Sequence, residues 1–229
     1  ETEYKLLSAS DYGVLQNRKR IILIGRRDKQ TGFYPEPEKW KPEGIFVKEL
    51  LSDLPHIKAG KGSFRPCLMK NYTGSYLYGA EIRTNGAPVT FHKARPHKEQ
   101  DLEIYRIAVN KWNENKERLD YNDLPEYLKT HKNRDTFTDR FKVVAEDLSI
   151  AQTVVVHIAK DGHYYIHPDI NQNRSLTPRE AARLQTFPDD YYFESATGIP
   201  GNTPAFRQIG NAVPVLLARK IAEKIREVW

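Results

Sequence analysis

The spacing of hydrophobic positions at the start of the chain indicates extended structure. Tyr4–Leu7 and the aliphatic run Arg20–Gly25 lie on either side of a turn signal at Asp11–Gly13. A continuous apolar run that ends in glycine is typical of a strand buried on both faces, as in a parallel sheet. The sequence therefore predicts strand, turn and strand over residues 1–27.

The middle of the chain has little periodicity. From about residue 55 to residue 100, glycines are scattered among basic residues and tyrosines, which indicates loops and short strands. Further along, two β-rich runs within residues 152–167 flank Lys160–Gly162 and predict a hairpin. The histidines in that stretch are expected to be ordinary hairpin residues.

Helical spacing occurs at several places. Helices are predicted at Pro42–Leu51, Asp101–Trp112, Asp123–Thr130 and Val213–Val228. Another helix is predicted to begin at Pro178, because Thr177 can act as the N-cap and Glu180 completes a capping box.

Composition narrows the class of protein without identifying it. The 229 residues are 39% hydrophobic and 29% charged, with a formal net charge of +6. A basic excess fits a partner with a phosphate backbone, although many basic proteins bind no nucleic acid. The single cysteine, Cys67, excludes an internal disulfide and a cysteine-based zinc site, and no metal site is predicted. Neither a membrane span nor a signal peptide is evident, so a cytoplasmic protein is expected.

Three segments, in this order, carry a family resemblance. They are Asp11–Arg20 before an aliphatic strand, Arg174–Asp189, and Gln208–Pro214. The first resembles the Gln-x-Arg-x-Arg motif of the DNA cytosine-5 methyltransferases, and the other two resemble the last two conserved motifs of that family. The resemblance covers about residues 1–27 and 140–229.

The resemblance implies an α/β fold. We expect a C-terminal fragment of a doubly wound (Rossmann-like) methyltransferase sheet, with an irregular α+β target-recognition domain inserted in it. Residues 1–27 would be end strands of the catalytic domain, 28–170 the target-recognition domain, and 171–229 the C-terminal motifs and closing helix. The apolar stripe of that last helix is expected to pack on the sheet of the other half.

Several family motifs do not occur in the sequence. These are the Phe-x-Gly-x-Gly turn that holds S-adenosylmethionine, the Pro-Cys-Gln nucleophile loop and the Glu-Asn-Val motif. Cys67 follows Pro66, but Leu68 replaces the glutamine, so an ordinary structural cysteine is expected. The chain begins at Glu1 and its only methionine is Met69, which favours a piece of a larger enzyme over a natural subunit. Alone it is predicted to be inactive, and to bind S-adenosylmethionine only when an N-terminal methyltransferase half, in the same or a separate chain, completes it.

Four residues take site roles from the resemblance. Arg20 would face O2 of the target cytosine, with Arg18 nearby toward the active-site loop and DNA, since a guanidinium is a permanently charged fork of donors. Either arginine could instead cap a strand at the surface. Asn211 and Ala212 match positions that touch the methionine part of the cofactor. Asn211 would also suit the N-cap of the final helix, where anions bind readily.

Contacts with duplex DNA are expected from the first motif and from the basic, tyrosine-rich middle region. The candidates are Gln16, Arg65, Lys70, Lys93 and Arg95. A charged, loop-rich surface explains the same composition for any one of them. The helix that bears Arg179, Glu180 and Arg183 is either a scaffold for the recognition region or a well-capped surface helix.

Three hypotheses of function remain open. The first is a part of a DNA cytosine-5 methyltransferase that recognises DNA and completes the active site. The second is a non-catalytic DNA-binding module derived from such an enzyme. The third, an interaction protein with an incidental basic surface, is disfavoured by the ordered motifs.

Overall fold

The computed structural model describes residues 2–27, 31–37, 44–67, 69, 71–84, 87–136 and 138–228. Within them the strands are β1 Thr2–Ser8, β2 Lys19–Gly25, β3 Gly62–Ser63 and β4 His92–Lys93. The helices are α1 Tyr76–Gly79, α2 Glu99–Asn115, α3 Pro178–Leu184, α4 Asn202–Asn211 and α5 Val215–Val228. Short 3-10 turns lie at Ala9–Tyr12, Val47–Leu50, Tyr121–Asp123, Glu126–Leu128 and Val156–Ala159.

The chain begins with a two-stranded antiparallel hairpin. β1 pairs with β2 from Thr2 opposite Gly25 to Ser8 opposite Lys19, which confirms the strand, turn and strand. The prediction of a parallel strand buried on both faces is wrong for the described residues. There β2 pairs only with β1, and the side chains of Ile21 and Leu23 are 70% and 67% exposed.

The hydrophobic side chains form two cores. The main core takes residues from all three predicted segments, including Leu7, Leu50, Ala182 and Leu217. A smaller core surrounds α2, where Tyr105 packs with residues such as Phe141. The predicted domain boundaries at residues 27 and 170 stay a prediction.

Three helix predictions are confirmed, and the last of them, Val213–Val228, is present as α5 from Val215 onward. α2 contains the whole of the predicted Asp101–Trp112 helix. α3 begins as expected, since Thr177 Oγ1 accepts from the backbone N–H of Glu180 and the Glu180 carboxylate accepts from the N–H of Thr177. This reciprocal pair satisfies two of the donors that a helix start leaves free.

Other element predictions need correction. The segment 152–167 is not a hairpin, and its backbone forms the 3-10 turn Val156–Ala159. Side chains take the donors that a strand ladder would use: Gln16 Oε1 accepts from Val154 N–H, and Tyr165 Oη accepts from Val155 N–H. The predicted helix at 123–130 is reduced to two 3-10 turns, and that at 42–51 to Val47–Leu50, with residues 42 and 43 outside the described residues.

The architecture is mixed α/β. The described residues form two two-stranded antiparallel sheets, so the doubly wound sheet expected from the sequence is not formed within them. The stripe of α5 also departs from expectation, because Leu216, Leu217 and Ile221 pack into the main core of this chain. No helix within the described ranges is both long and apolar enough to cross a membrane.

Candidate functional site

Arg18 joins the two ends of the chain. Its side chain is fully buried, and it donates to the carbonyl oxygens of Gly210 (2.9 Å), Ala212 (2.7 Å) and Val154. Burial, and then the neighbouring Arg20 charge, lower the pKa of Arg18 to about 10, so the guanidinium remains charged at neutral pH. The sequence predicted that Arg18 lies toward the active-site loop and DNA, but the structure places it inside the protein. We call its hydrogen bonds to Val154, Gly210 and Ala212 the Arg18 clamp.

Gln16 is buried beside this clamp. Its amide nitrogen donates to Leu184 O at 2.7 Å, and its amide oxygen accepts from Val154 N–H at 2.9 Å. A fully buried side chain with both amide groups in use offers no surface to a duplex. Gln16 therefore ties the end of α3 to the segment before Val155, which corrects the expectation of a DNA contact.

Arg20, Asn211 and Ala212 lie on the accessible side of the clamp. Arg20 is half-buried, and within the described ranges it donates only to its neighbour's carbonyl, Lys19 O, at 2.7 Å. Asn211 is exposed at the end of α4, and Ala212 is half-buried. Arg18, which is bonded to Gly210 and Ala212, brings the first and last motifs together.

Asn211 is not the N-cap of the final helix. Asn211 ends α4, and α5 begins four residues later, at Val215. The N–H groups of Val215 and Leu216 bind Gln185 O (3.0 Å) and Thr186 Oγ1 (2.9 Å). The segment after α3 therefore caps α5, a role that sequence analysis missed.

Gly210 allows α4 to approach the turn Val156–Ala159 closely. A Cβ atom at Gly210 would lie 2.6 Å from the Cα of Val156, closer than real side chains come to backbone. Only glycine permits such an approach. The last motif is thus packed directly against the segment that was expected to be a hairpin.

Charged side chains fill the interior around α3. We call Asp53, Arg174, Arg179, Glu180, Arg183 and Asp189 the buried ion-pair cluster, since each is at most 1% exposed. Arg174 donates to both Glu180 oxygens at 2.7 Å. The Arg183 guanidinium donates to both oxygens of Asp189, at 2.8 and 2.7 Å, and also pairs with Asp53. The reading of α3 as a surface helix is wrong, and these contacts favour the scaffold.

The cluster keeps its charges although it is buried. Burial opposes ionisation of Glu180, but the Arg174 and His167 side chains hold its pKa well below the usual range. Burial would lower the pKa of Arg183 as well, but Asp189 and Asp53 keep it above its ordinary value. Arg179 has no carboxylate at hydrogen-bonding distance among the described residues and donates instead to Thr90 O, Pro188 O and Tyr191 O.

The predicted DNA contacts are spread over different environments. Arg65 is exposed just after β3. Lys93 is half-buried on β4, where its Nζ donates to Gly60 O at 3.0 Å. Arg95 lies 4.4 Å over the Phe206 ring and donates to Ile158 O, so it holds α4 against the turn. Lys70 lies outside the described residues.

Cys67 has the environment of a structural cysteine. Its backbone N–H donates to Val89 O at 2.9 Å, and burial raises the pKa of its thiol. A nucleophilic cysteine needs the opposite shift, since the thiolate is the reactive form.

Comparison with known proteins indicates the same class of protein as the three motifs. A solved Escherichia coli structure of a prophage-encoded DNA modification methyltransferase superimposes with a TM-score of 0.61 at 21% identity, covering 100% of this chain and 60% of that one. The fold is therefore shared with a methyltransferase structure. The profile of the C-5 cytosine-specific DNA methylases matches residues 1–227, and the chain belongs to that family.

Two relatives show what share of a family member's length this chain spans. Type II methyltransferase M.Bpa9945I from Bacillus paralicheniformis is 43% identical over 235 residues, covering 100% of this chain and 51% of the relative. Type II methyltransferase M1.HphI from Haemophilus parahaemolyticus is 32% identical over 221 residues, covering 96% and 46%. The chain spans about half the length of these curated relatives.

Proposed function

We propose that this chain recognises duplex DNA and completes the active site for methyl transfer from S-adenosylmethionine to C5 of cytosine. The observation that carries the proposal is the Arg18 clamp, which fixes Gly210 and Ala212 beside the strand that begins at Lys19. Arg20 and Asn211 then remain on the accessible side. The type II methyltransferase names of the relatives extend the proposal to a restriction-modification enzyme.

The site residues present fit part of the cofactor. Asn211 is exposed, and its amide has no hydrogen-bond partner among the described residues, so it can donate to and accept from the amino-acid end of S-adenosylmethionine. The cofactor supplies the methyl group when it is bound. Arg20 supplies fixed positive charge for the cytosine carbonyl, and Arg18 positions the segment that carries Asn211 and Ala212.

We propose further that the chain works with an N-terminal methyltransferase segment, which would account for the half of each relative's length that this chain does not span. The β1–β2 hairpin presents one apolar face, on which Tyr4, Leu6, Ile21 and Leu23 are between 60% and 77% exposed. Tyr4 lies opposite Leu23 and Leu6 opposite Ile21, so the four side chains are contiguous. An apolar face of this kind is typical of an interaction surface.

A methyl-transfer assay tests the proposed function. This chain is incubated with duplex DNA and labelled S-adenosylmethionine, first alone and then with the N-terminal half of the Bacillus paralicheniformis relative. We expect incorporation only in the mixture. An Arg20→Ala variant should reduce it about 100- to 1,000-fold, the usual cost of one lost transition-state donor. The exposed neighbour Lys19→Ala is the matched control and should retain activity.

Two outcomes would contradict the proposal. Methyl transfer by this chain alone would show that the nucleophile lies within it. Inactivity of the mixture, with DNA binding intact, would favour the non-catalytic DNA-binding module.

A further inference from the structure

A basic cavity lies beside the last motif and was assigned no role by the sequence. It encloses about 320 Å³, near the lower end of the range of about 300–1,000 Å³ that is typical of ligand sites. We define the basic cavity by Arg140, His157, Lys160, Asp161, Tyr164 and Tyr165, which line it.

The charges of the basic cavity are not balanced. Arg140 Nη2 lies 3.3 Å from Asp161 Oδ2, which pairs one cation with the one carboxylate of the lining. Lys160 is exposed, and no carboxylate lies within 4.0 Å of its Nζ among the described residues. One positive charge is therefore left for a ligand, and the exposed His157 ring can add a donor.

The walls are built to hold these groups in place. Tyr165 is buried, and its hydroxyl donates to Thr153 O at 2.9 Å while accepting from Val155 N–H. Tyr164 donates to Asp139 at 2.8 Å, and burial together with that hydrogen bond raises its pKa to about 12, so the phenol stays neutral. Behind the turn, Arg95 donates to Ile158 O and stacks on Phe206.

The position of the basic cavity connects it to the proposed site. Val155 lines the cavity, and Val155 and Val156 are the residues against which Gly210 packs. Asn211 follows Gly210 directly. The basic cavity and the last motif are therefore joined through the contact between Val155 and Gly210.

From these observations we propose that the basic cavity binds a phosphate of the DNA backbone, with Lys160 and His157 as the principal donors. The proposal rests on the proposed function, because it takes duplex DNA as the ligand. A phosphate contact positions the duplex without reading its sequence. Asp161 orients Arg140 through their ion pair, and Arg140 and Lys160 then flank the anion.

Salt-dependent DNA binding tests this proposal. Affinities of the full chain for two duplexes of unrelated sequence are measured by fluorescence anisotropy from 50 to 200 mM salt. Lys160→Gln should weaken binding to both duplexes by the same factor and reduce the slope of log affinity against log salt by about 1. Arg106→Gln, an exposed substitution on α2, is the matched control and should leave the slope unchanged.

The outcomes separate this inference from the proposed function. If the wild-type chain binds neither duplex, the proposed function and the basic-cavity proposal are both overturned. If it binds and Lys160→Gln matches it in affinity and slope, only the basic-cavity proposal is overturned. A loss confined to one sequence would also overturn it, since that result indicates base contact. A parallel arm measures labelled AMP by equilibrium dialysis. Lys160-dependent AMP binding with unchanged DNA affinity would assign the cavity to a soluble phosphate ligand instead.

Discussion

Two regions of the molecule depart from the usual arrangement of apolar residues inside and charged residues outside. One is the interior around α3, and the other is the β1–β2 hairpin. Around α3, charged side chains are buried, and every cation in the buried ion-pair cluster has partners within the chain. In the hairpin, the apolar side chains of Ile21 and Leu23 are 70% and 67% exposed and lie opposite Leu6 and Tyr4, which are also exposed. The charges around α3 are paired within the chain. The hairpin leaves an exposed apolar face, which we propose as the docking surface for the N-terminal half.

The largest effect is expected at Arg183. Arg183→Ala leaves the carboxylates of Asp53 and Asp189 buried, and of the cations that the structure describes only Arg83 still reaches Asp53. Removing one partner of a buried ion pair typically costs about 3–5 kcal/mol. Urea denaturation should show that loss. The control Arg219→Ala removes a more exposed pair with Glu81 and should cost about 1 kcal/mol or less. Equal losses in the two variants would remove the contrast between interior and surface.

Acid should weaken the interior through His167. Its Nδ1 accepts from the Asp169 N–H, and burial lowers its pKa to about 3 from about 6.5. Because the folded pKa is depressed, this contribution is complete above pH 6.5 and is lost as pH falls toward 3. Between pH 7 and pH 4 the free energy of unfolding should decrease by about 2–4 kcal/mol through this residue. His167→Gln should flatten the pH dependence measured by denaturation, whereas the exposed His157→Gln should not. An unchanged slope in His167→Gln would show that another group takes up the proton.

The smallest effect on stability is expected in the hairpin. Leu23→Lys places a charge on a side chain that is 67% exposed, so the free energy of unfolding should change by no more than about 0.5 kcal/mol. The same variant should abolish methyl transfer in the mixture with the N-terminal half, because that half would meet a charge in its docking face. Leu148→Lys, at an exposed residue elsewhere, is the control for both measurements. Full activity of Leu23→Lys in the mixture would exclude the hairpin face as the docking surface.

Elements that depend on neighbouring residues could be predicted from the sequence, and those that depend on distant ones could not. α3 was predicted because Thr177 and Glu180 are three residues apart and form the capping box themselves. The hairpin at 152–167 was wrong because Gln16, 138 residues away from Val154, takes a backbone donor there. A tertiary contact therefore outweighs the strand propensity of that stretch.

The candidate site shows the same division. The family resemblance brought Arg18 and Ala212 to one site, and they are hydrogen-bonded at 2.7 Å. It could not reveal that Arg18 faces inward or that Asp53 pairs with Arg183 across 130 residues of sequence. The basic cavity was missed because its lining is spread over residues 131–165, and because the wrong hairpin had placed His157 on a strand.

The Arg18 clamp also sets when the site can form during synthesis. Arg18 and Gly210 are 192 residues apart, and ribosomes add about 5–20 residues per second. About 10–40 s therefore pass between the synthesis of Arg18 and the synthesis of its acceptor Gly210. During that interval the Arg18 side chain lacks the carbonyl acceptors that the last motif provides in the folded chain. Assembly of this site is accordingly a late, long-range folding event, and contacts of such high sequence separation form slowly. A nascent chain released before residue 212 has no means of closing the clamp.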